Sequence, residues 1–404
     1  MNNSNLSLEK GLIYSFYLYA FTFSFTVVGG IIAIGLTFIF WLTQVKKQNL
    51  KDAILTNPIA WSSLLFFLLY PVGLFWTDNL DHGLFMLRKH RYLILIPLLC
   101  ASFDSRTRKI SLNIFLFSML FSVLASLAIF LDLNTIIVKE KIYNTAFAWH
   151  SPYSTMLSLA AYITMCKLVN SFTHKPSIAW YGWLIAFILM VLDLYITSGR
   201  TGQFTFILLC IVFIFLHFSW KWRLCAIPTL LIIIYLAYIL LPQFNTRIHE
   251  TINDISTYNE KPNSSVGARI SVAHHGFTLI KDKYFLGLGT GGYKKSYHDY
   301  MVKNHPEASI LDTTHSTYLH IPLHFGVLGS IVFITFLLSL LYKSLTINDS
   351  WRKIRIGFWI HMITVMISGV VFMGQFTKSL LIFFIIILFT DSVTANVDPN
   401  TKQT

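Results

Sequence analysis

The sequence predicts an all-α, polytopic membrane protein, and two observations carry that prediction. Of 404 residues, 55% are hydrophobic, 16% aromatic and only 12% charged, which is about half the charged share of a soluble domain. The apolar residues also fall in runs near the ~20-residue length that takes a helix across a bilayer core. A soluble enzyme, a secreted disulfide scaffold and a disordered tail are excluded.

Taken in order, about twelve spans follow from that length. The stretch 11–45 is too long for one, and Gly29 and Gly30 near its middle predict two helices joined by a tight turn. The opening MNNSNLSLEK lacks an early basic region and a small-residue cleavage site, so it reads as the start of a retained first span. Further spans are expected at roughly 58–76, 88–103, 110–131, 152–170, 179–198, 202–220, 223–241, 316–342, 354–374 and 378–394. No internal repeat is evident. Cys100, Cys166, Cys210 and Cys225 lie in or beside apolar runs and read as small core residues, with no disulfide or cysteine metal site.

The net charge is +13, from 31 Lys and Arg against 18 Asp and Glu. The basic residues are scattered between apolar runs and form no continuous face, which sets nucleic acid aside. Lipid headgroups, phosphates and anionic glycolipids are the expected partners. Counting Lys and Arg in short loops puts both termini in the cytoplasm. The inner connections then carry Lys46, Lys47 and Lys51; Arg106, Arg108 and Lys109; Lys175; Lys221 and Arg223; and Lys343, Arg352, Lys353 and Arg355. The exterior carries fewer, namely Arg88, Lys89, Arg91, Lys139, Lys141, Arg200 and Lys378. The cluster Arg88, Lys89 and Arg91 runs against the rule; it is either interfacial snorkelling or an anion site facing the outer leaflet.

Four units follow: spans one to nine over 1–241, a large exterior loop over 242–315, three further spans over 316–394, and a cytoplasmic tail over 395–404. The loop is the expected functional domain. Val266, Ile270, Ala273, Phe277 and Ile280 recur at helical spacing, so short amphipathic helices against the spans are expected rather than a structureless loop. The loop holds six of the fourteen histidines: His249, His274, His275, His298, His305 and His315.

Three motifs carry chemistry. Thr197-Ser198-Gly199-Arg200-Thr201-Gly202-Gln203 is a short turn between two spans that places one guanidinium at the outer face. A guanidinium is permanently charged and binds phosphate oxygens through paired hydrogen bonds, which suits a pyrophosphate at headgroup depth, and the small flanking residues permit close approach; the alternative is an arginine that merely snorkels. Ser265-Val266-Gly267-Ala268-Arg269 offers a second phosphate contact, or a surface arginine paired with a carboxylate such as Asp282. Thr313-Thr314-His315-Ser316-Thr317-Tyr318-Leu319 marks the junction where the loop returns to the membrane, and a break is expected at Gly326-Val-Leu-Gly329. A histidine there can take a proton from a sugar hydroxyl. His320 and His324 share a helix face without a fixed carboxylate, so packing is favoured over metal binding. The run Gly287-Leu-Gly289-Thr-Gly291-Gly292 imitates a dinucleotide fingerprint but lacks its strand context, and reads as a turn packed near the membrane with Tyr293 at the interface.

No Asp-x-Asp pair occurs, so a Mg²⁺-dependent phosphosugar mechanism has no obvious ligands and the arginines must do that work. Within the spans Asp193 is the chief charge, two turns before Arg200 on one face; about 10 Å separates them, so any link needs an intermediary.

The order and spacing of these motifs resemble the O-antigen ligase family of membrane glycosyltransferases, which shares a superfamily with O-antigen polymerases. The resemblance covers most of the chain: the spans, Ser198-Gly199-Arg200, the run 247–258, Gly267-Ala268-Arg269, and His315 leading into His324-Phe-Gly326-Val-Leu-Gly329. It implies a GT-C-like fold and transfer of polysaccharide from undecaprenyl pyrophosphate to lipid A-core oligosaccharide at the periplasmic face of the bacterial inner membrane, with inversion and with neither metal nor cofactor. It implies that Arg200 and Arg269 hold the pyrophosphate and that His315 activates or orients the acceptor hydroxyl. Arg91, with Arg88 and Lys89, resembles a basic span entrance that binds substrate, as do His150, Tyr293 and Thr314, while Tyr153 sits with His150 in an outward loop. Many relatives have Asn where this chain has Ser316. An O-antigen polymerase shares the donor chemistry, with a lipid-linked repeat as acceptor. A transporter or flippase would place polar residues along the spans at mid-depth, whereas here they gather at the outward ends.

Overall fold

The computed structural model describes residues 3–44, 54–133, 145–171, 177–240, 242–257, 264, 267–281, 283–305 and 310–389. Lys46, Lys47, Lys51, Lys139, Lys141, Lys175, Ser265, Val266, Asp282 and the tail 395–404 lie outside the described residues. Among the described residues each expected span overlaps a helix. In order these are α1 (Asn3–Thr22), α2 (Val27–Gln44), α3 (Pro58–Val72), α4 (Leu80–His90), a 3-10 turn (Arg91–Ile94), α5 (Leu95–Leu99), α6 (Ser105–Phe130), α7 (His150–Ser171), α8 (Ile178–Ile196), α9 (Arg200–His217), α10 (Trp220–Leu240), α11 (Pro242–Ser256), α12 (Gly267–Leu279), α13 (Gly292–Asn304), α14 (Thr317–Thr346), α15 (Arg352–Ser368) and α16 (Gln375–Leu388). Among them six are long and apolar enough to cross a membrane (α2, α6, α8, α9, α10 and α14), and α3 and α16 are shorter apolar helices. The expected span 88–103 is instead a composite of the end of α4, the 3-10 turn and α5.

The first pair of helices turns at residues 23–26 rather than at the glycines. Gly30 lies inside α2, where a Cβ would stand 3.1 Å from the Cα of Phe23. Its smallness serves the approach of α2 to the end of α1, not the turn.

The core is built around α16, in which every residue from Lys378 to Leu388 is buried, as an all-round apolar helix requires. Phe383 and Phe384 meet Phe16 of α1, Phe115 of α6 and Phe358 of α15 at centroid separations of 5.2–5.9 Å. Its last carbonyls are capped by two arginines: Arg108 Nη1 donates to Ile387 O and Arg355 Nη1 to Leu388 O, each at 3.4 Å. Cations favour helix C-termini. Arg108 and Arg355, two of the cations expected on inner loops, are buried, and Arg355 is held by Asp349 at 2.7 Å.

The glycine break in α14 is real and has a partner. Gly326 adopts φ 61°, ψ −152°, and the hydrogen bonds this releases are taken by the turn at 284–289. Leu288 and Gly289 donate to the carbonyls of Leu323 and His324, and Val327 and Leu328 donate to those of Tyr284 and Phe285, at 2.9–3.3 Å. The glycine-rich run is therefore a plug for a broken helix. Tyr293, expected at the membrane interface, is buried behind it.

Within the exterior loop α12 forms as expected but in a different register. Val272 and Ile280 are buried, whereas Phe277 is 53% exposed.

Candidate active site

Arg200 opens α9 directly after the turn that ends α8. The Thr197 N–H donates to Asp193 O at 3.0 Å. Gln203 Nε2 reaches back to Leu194 O at 3.2 Å and Thr197 O at 2.9 Å. A Cβ on Gly199 would fall 2.7 Å from the carbonyl of His150 and closer still to Ser154, and one on Gly202 would overlap the Ser154 backbone. These glycines let α9 approach α7; they fix the arginine's position rather than leaving room for a ligand. The Asp193 carboxylate turns away from Arg200, accepting from Ser126 Oγ at 2.7 Å and from the Tyr153 hydroxyl. Tyr153 is thus buried within α7, not in an outward loop.

The Arg200 guanidinium is fixed from α11. Its Nη2 donates to Glu250 Oε2 at 2.7 Å and its Nη1 to Thr251 Oγ1 at 2.9 Å. Sequence reasoning missed both partners, although the run 247–258 that carries them had been noticed. Arg269, from the first turn of α12, lines the same cleft as Arg200, Gln203, Thr251 and Ser368, a space of about 490 Å³. Burial, and then the Arg200 charge, hold the Arg269 guanidinium below its ordinary pKa. Arg200 is already paired with Glu250, and Arg269 adds a second cation to the same cleft.

His315 stands beside this pair. Its backbone is left-handed, with φ 50°, a conformation that histidine adopts more readily than most residues. The turn is braced on both sides. Thr314 Oγ1 donates to Ser316 O at 3.0 Å, Thr317 Oγ1 to Gly369 O at 2.8 Å, and the Val371 N–H to Thr317 Oγ1 at 3.2 Å. Burial first, and then the Arg269 charge, lower the His315 pKa from 6.5, so the imidazole is neutral at pH 7 and free to accept a proton. Arg200 and Arg269 thus share a cleft, and the Arg269 charge reaches His315.

The other expected site residues are distributed differently. Thr314 is buried and braces the turn. His150 begins α7, with its carbonyl beneath Gly199. Tyr293 lines a separate cavity. Arg88, Lys89 and Arg91 do not line the arginine cleft. Arg88 Nε bonds Leu84 O at 3.3 Å, and Lys89 and Arg91 lie over Phe85 and Tyr92, each 5.3 Å from the ring centroid. Among the described residues no three His, Cys, Asp or Glu side chains are grouped to hold a metal ion.

The cleft opens into an apolar groove of about 760 Å³ between α8, α9 and α10, sharing Ile207 and Ile234 with it. α10 has no buried residue, so the groove's outer wall faces the membrane.

No curated protein matches the chain. Residues 185–334, which contain Arg200, Arg269 and His315, match the family model described as O-antigen ligase. Residues 185–334 are thus an O-antigen ligase-type domain, which supports a ligase- or polymerase-type activity, in a chain whose apolar helices are those of a multi-pass membrane protein.

Proposed function

We propose that the protein is an O-antigen ligase, moving polysaccharide from undecaprenyl pyrophosphate to a hydroxyl of lipid A-core oligosaccharide at the periplasmic face of the inner membrane, with inversion and without a metal ion. The observation that carries this reading is the convergence of Arg200 and Arg269 in one cleft, beside His315 and above a lipid-facing apolar groove. The groove suits a polyprenyl chain and the cleft its diphosphate.

In the reaction the acceptor oxygen attacks the anomeric carbon as the bond from that carbon to the phosphate oxygen breaks. The electron pair leaves on the diphosphate, and the hydroxyl proton passes to His315. The diphosphate is already a weak base, so it departs without being protonated. The two guanidinium groups offset the charge growing on the bridging oxygen, and Glu250 and Thr251 keep Arg200 aimed before the substrate arrives. Preorganised donors of this kind are worth about 10²–10³ in rate each.

A deletion strain tests the assignment. Unsubstituted lipid A-core beside accumulated carrier-linked polymer on a lipopolysaccharide gel is the expected result. Core bearing a single repeat would indicate a polymerase, and unsubstituted core with the carrier-linked saccharide held on the cytoplasmic side would indicate a transporter. In a purified transfer assay, Arg200→Lys, Arg269→Lys and His315→Ala each lower turnover by about 10²–10³. Near-normal rates in all three folded variants would remove the site, and EDTA inactivation reversed by Mg²⁺ would remove the metal-free mechanism.

A further inference from the structure

A second cavity, of about 380 Å³, shares no lining residue with the arginine cleft, and its walls include His82, Tyr293, Thr313, His320, His324 and Val370. The two spaces are parted where the His315 turn is pinned to the segment after α15. Ser368 lines the cleft, Gly369 accepts from Thr317, and Val370 lines the cavity. Thr313, on the cavity wall, is two residues from His315, a reach of at most roughly 7 Å along the chain.

The cavity is polar in an unusual way. His320, His324 and Tyr293 are each at most 3% exposed, yet His320 Nε2, His324 Nδ1 and the Tyr293 hydroxyl have no protein partner. Behind them His90 Nε2 and the Tyr70 hydroxyl are in the same condition. The rings form a continuous train, with Tyr70 to His90 at 3.8 Å, His90 to His320 at 6.0 Å, His320 to His324 at 4.1 Å and His324 to Tyr293 at 5.8 Å. Buried polar groups in folded proteins are almost always hydrogen-bonded, so a row of unpaired ones around a cavity is a row of ligand contacts. Neutral imidazoles and phenols each offer a donor and an acceptor. The one charged pair on the wall, Lys294 with Asp312 at 2.7 Å, neutralises itself. Phe85, Met86 and Met373 add apolar surface. Donors, acceptors, ring faces and no unpaired charge fit an uncharged polyol and not an anion.

We propose that this cavity seats the acceptor saccharide, and that His320, His324 and Tyr293 determine which sugar is accepted. The assignment rests on the transferase reading above. An inverting displacement brings the acceptor oxygen in from the side away from the leaving phosphate, and the cavity is a space separate from the arginine cleft, with Thr313 on its wall two residues from His315. At about 380 Å³ it is at the small end for ligand sites, room for the terminal one or two rings of an oligosaccharide.

The test uses the full-length protein in nanodiscs, with core oligosaccharide released from the host strain's lipopolysaccharide as the probe and undecaprenyl diphosphate as the donor-side control. Tyr293→Phe, which keeps the ring and removes only the hydroxyl, and His324→Phe are expected to weaken core binding at least tenfold and to raise the acceptor KM. Undecaprenyl diphosphate binding should be unchanged. His324→Gln, which restores a hydrogen-bonding side chain, should recover part of the loss and also guards against misfolding of the Phe variant. Core binding undiminished in Tyr293→Phe and His324→Gln alike would overturn the proposal and leave the transferase reading intact. If the released repeat oligosaccharide binds in place of core, and loses affinity in the same variants, the cavity assignment stands and the ligase assignment falls.

Discussion

At the scale of single residues, three positions explain how a charged site is kept ready at the edge of a membrane. Arg200 is exposed enough to meet a ligand, yet its fork is already occupied by Glu250 and Thr251; an arriving diphosphate meets an oriented guanidinium, not a floppy one. Arg269 brings a second cation, and burial and then the Arg269 charge depress the His315 imidazole. That depression has a pH consequence whose sign is fixed. His315 acts as a base only when neutral, and its pKa in the free enzyme lies below 6.5 because of burial and then Arg269. The acid limb of kcat/KM, which reports the free enzyme, is therefore expected below pH 6.5, with activity falling as pH drops through it. In Arg269→Gln the residual activity should show that limb moved upward, since one of the two causes is gone while burial remains. A pH profile of initial transfer rates reads both; a limb unmoved by Arg269→Gln would mean that the two groups do not sense each other.

At the scale of elements, the site depends on helices that approach or break where glycine permits. Gly326 holds a backbone conformation that is almost confined to glycine, and a Cβ there would overlap the Phe285 carbonyl. Gly326→Ala is expected to cost about 1–3 kcal/mol from backbone strain alone. It should also expel the 284–289 turn, lowering the thermal midpoint in detergent and exposing Tyr293; an unchanged midpoint would mean that the plug is not structural. The sequence made the break at 326–329 legible, because glycines and Pro322 in an apolar run announce it. It also made legible the turn at 197–203 and the junction at His315. What it did not reveal is what each glycine serves. Gly199 and Gly202 lie under Ser154, Gly287 lies against α14, and Gly289 and Gly291 lie against residues 73–83; contacts with elements more than a hundred residues away or on another helix leave no local periodicity to read. The partners of Arg200 were missed for the same reason. Glu250 is fifty residues on, in an amphipathic helix whose charged face gives no sign of which arginine it meets.

At the scale of the whole molecule, the arrangement separates three kinds of chemistry that must not interfere. A lipid tail needs an apolar wall, a diphosphate needs cations and a sugar needs neutral hydrogen-bonding groups. In the proposed reaction these roles fall to a groove along α8–α10, a cleft at the start of α9, and the cavity lined by Tyr293, His320 and His324. Transfer works only if all three open toward the side where carrier-linked polymer accumulates, so membrane orientation is itself a functional claim. The basic residues bear on it unevenly. Arg108 and Arg355 cap α16 and are buried, so they say less about orientation than a simple count assumes, and Lys343 and Lys353 carry more of the weight. The loop helix α13 bears Lys303 on an exposed position, and the far end of α14 bears Lys343. With the four native cysteines replaced by serine, Lys303→Cys should react with a membrane-impermeant maleimide in intact spheroplasts, and Lys343→Cys only after the membrane is permeabilised. The reverse pattern would put the arginine cleft in the cytoplasm, where no lipopolysaccharide acceptor awaits a finished polymer, and the proposed activity would fail even with every distance in the site intact.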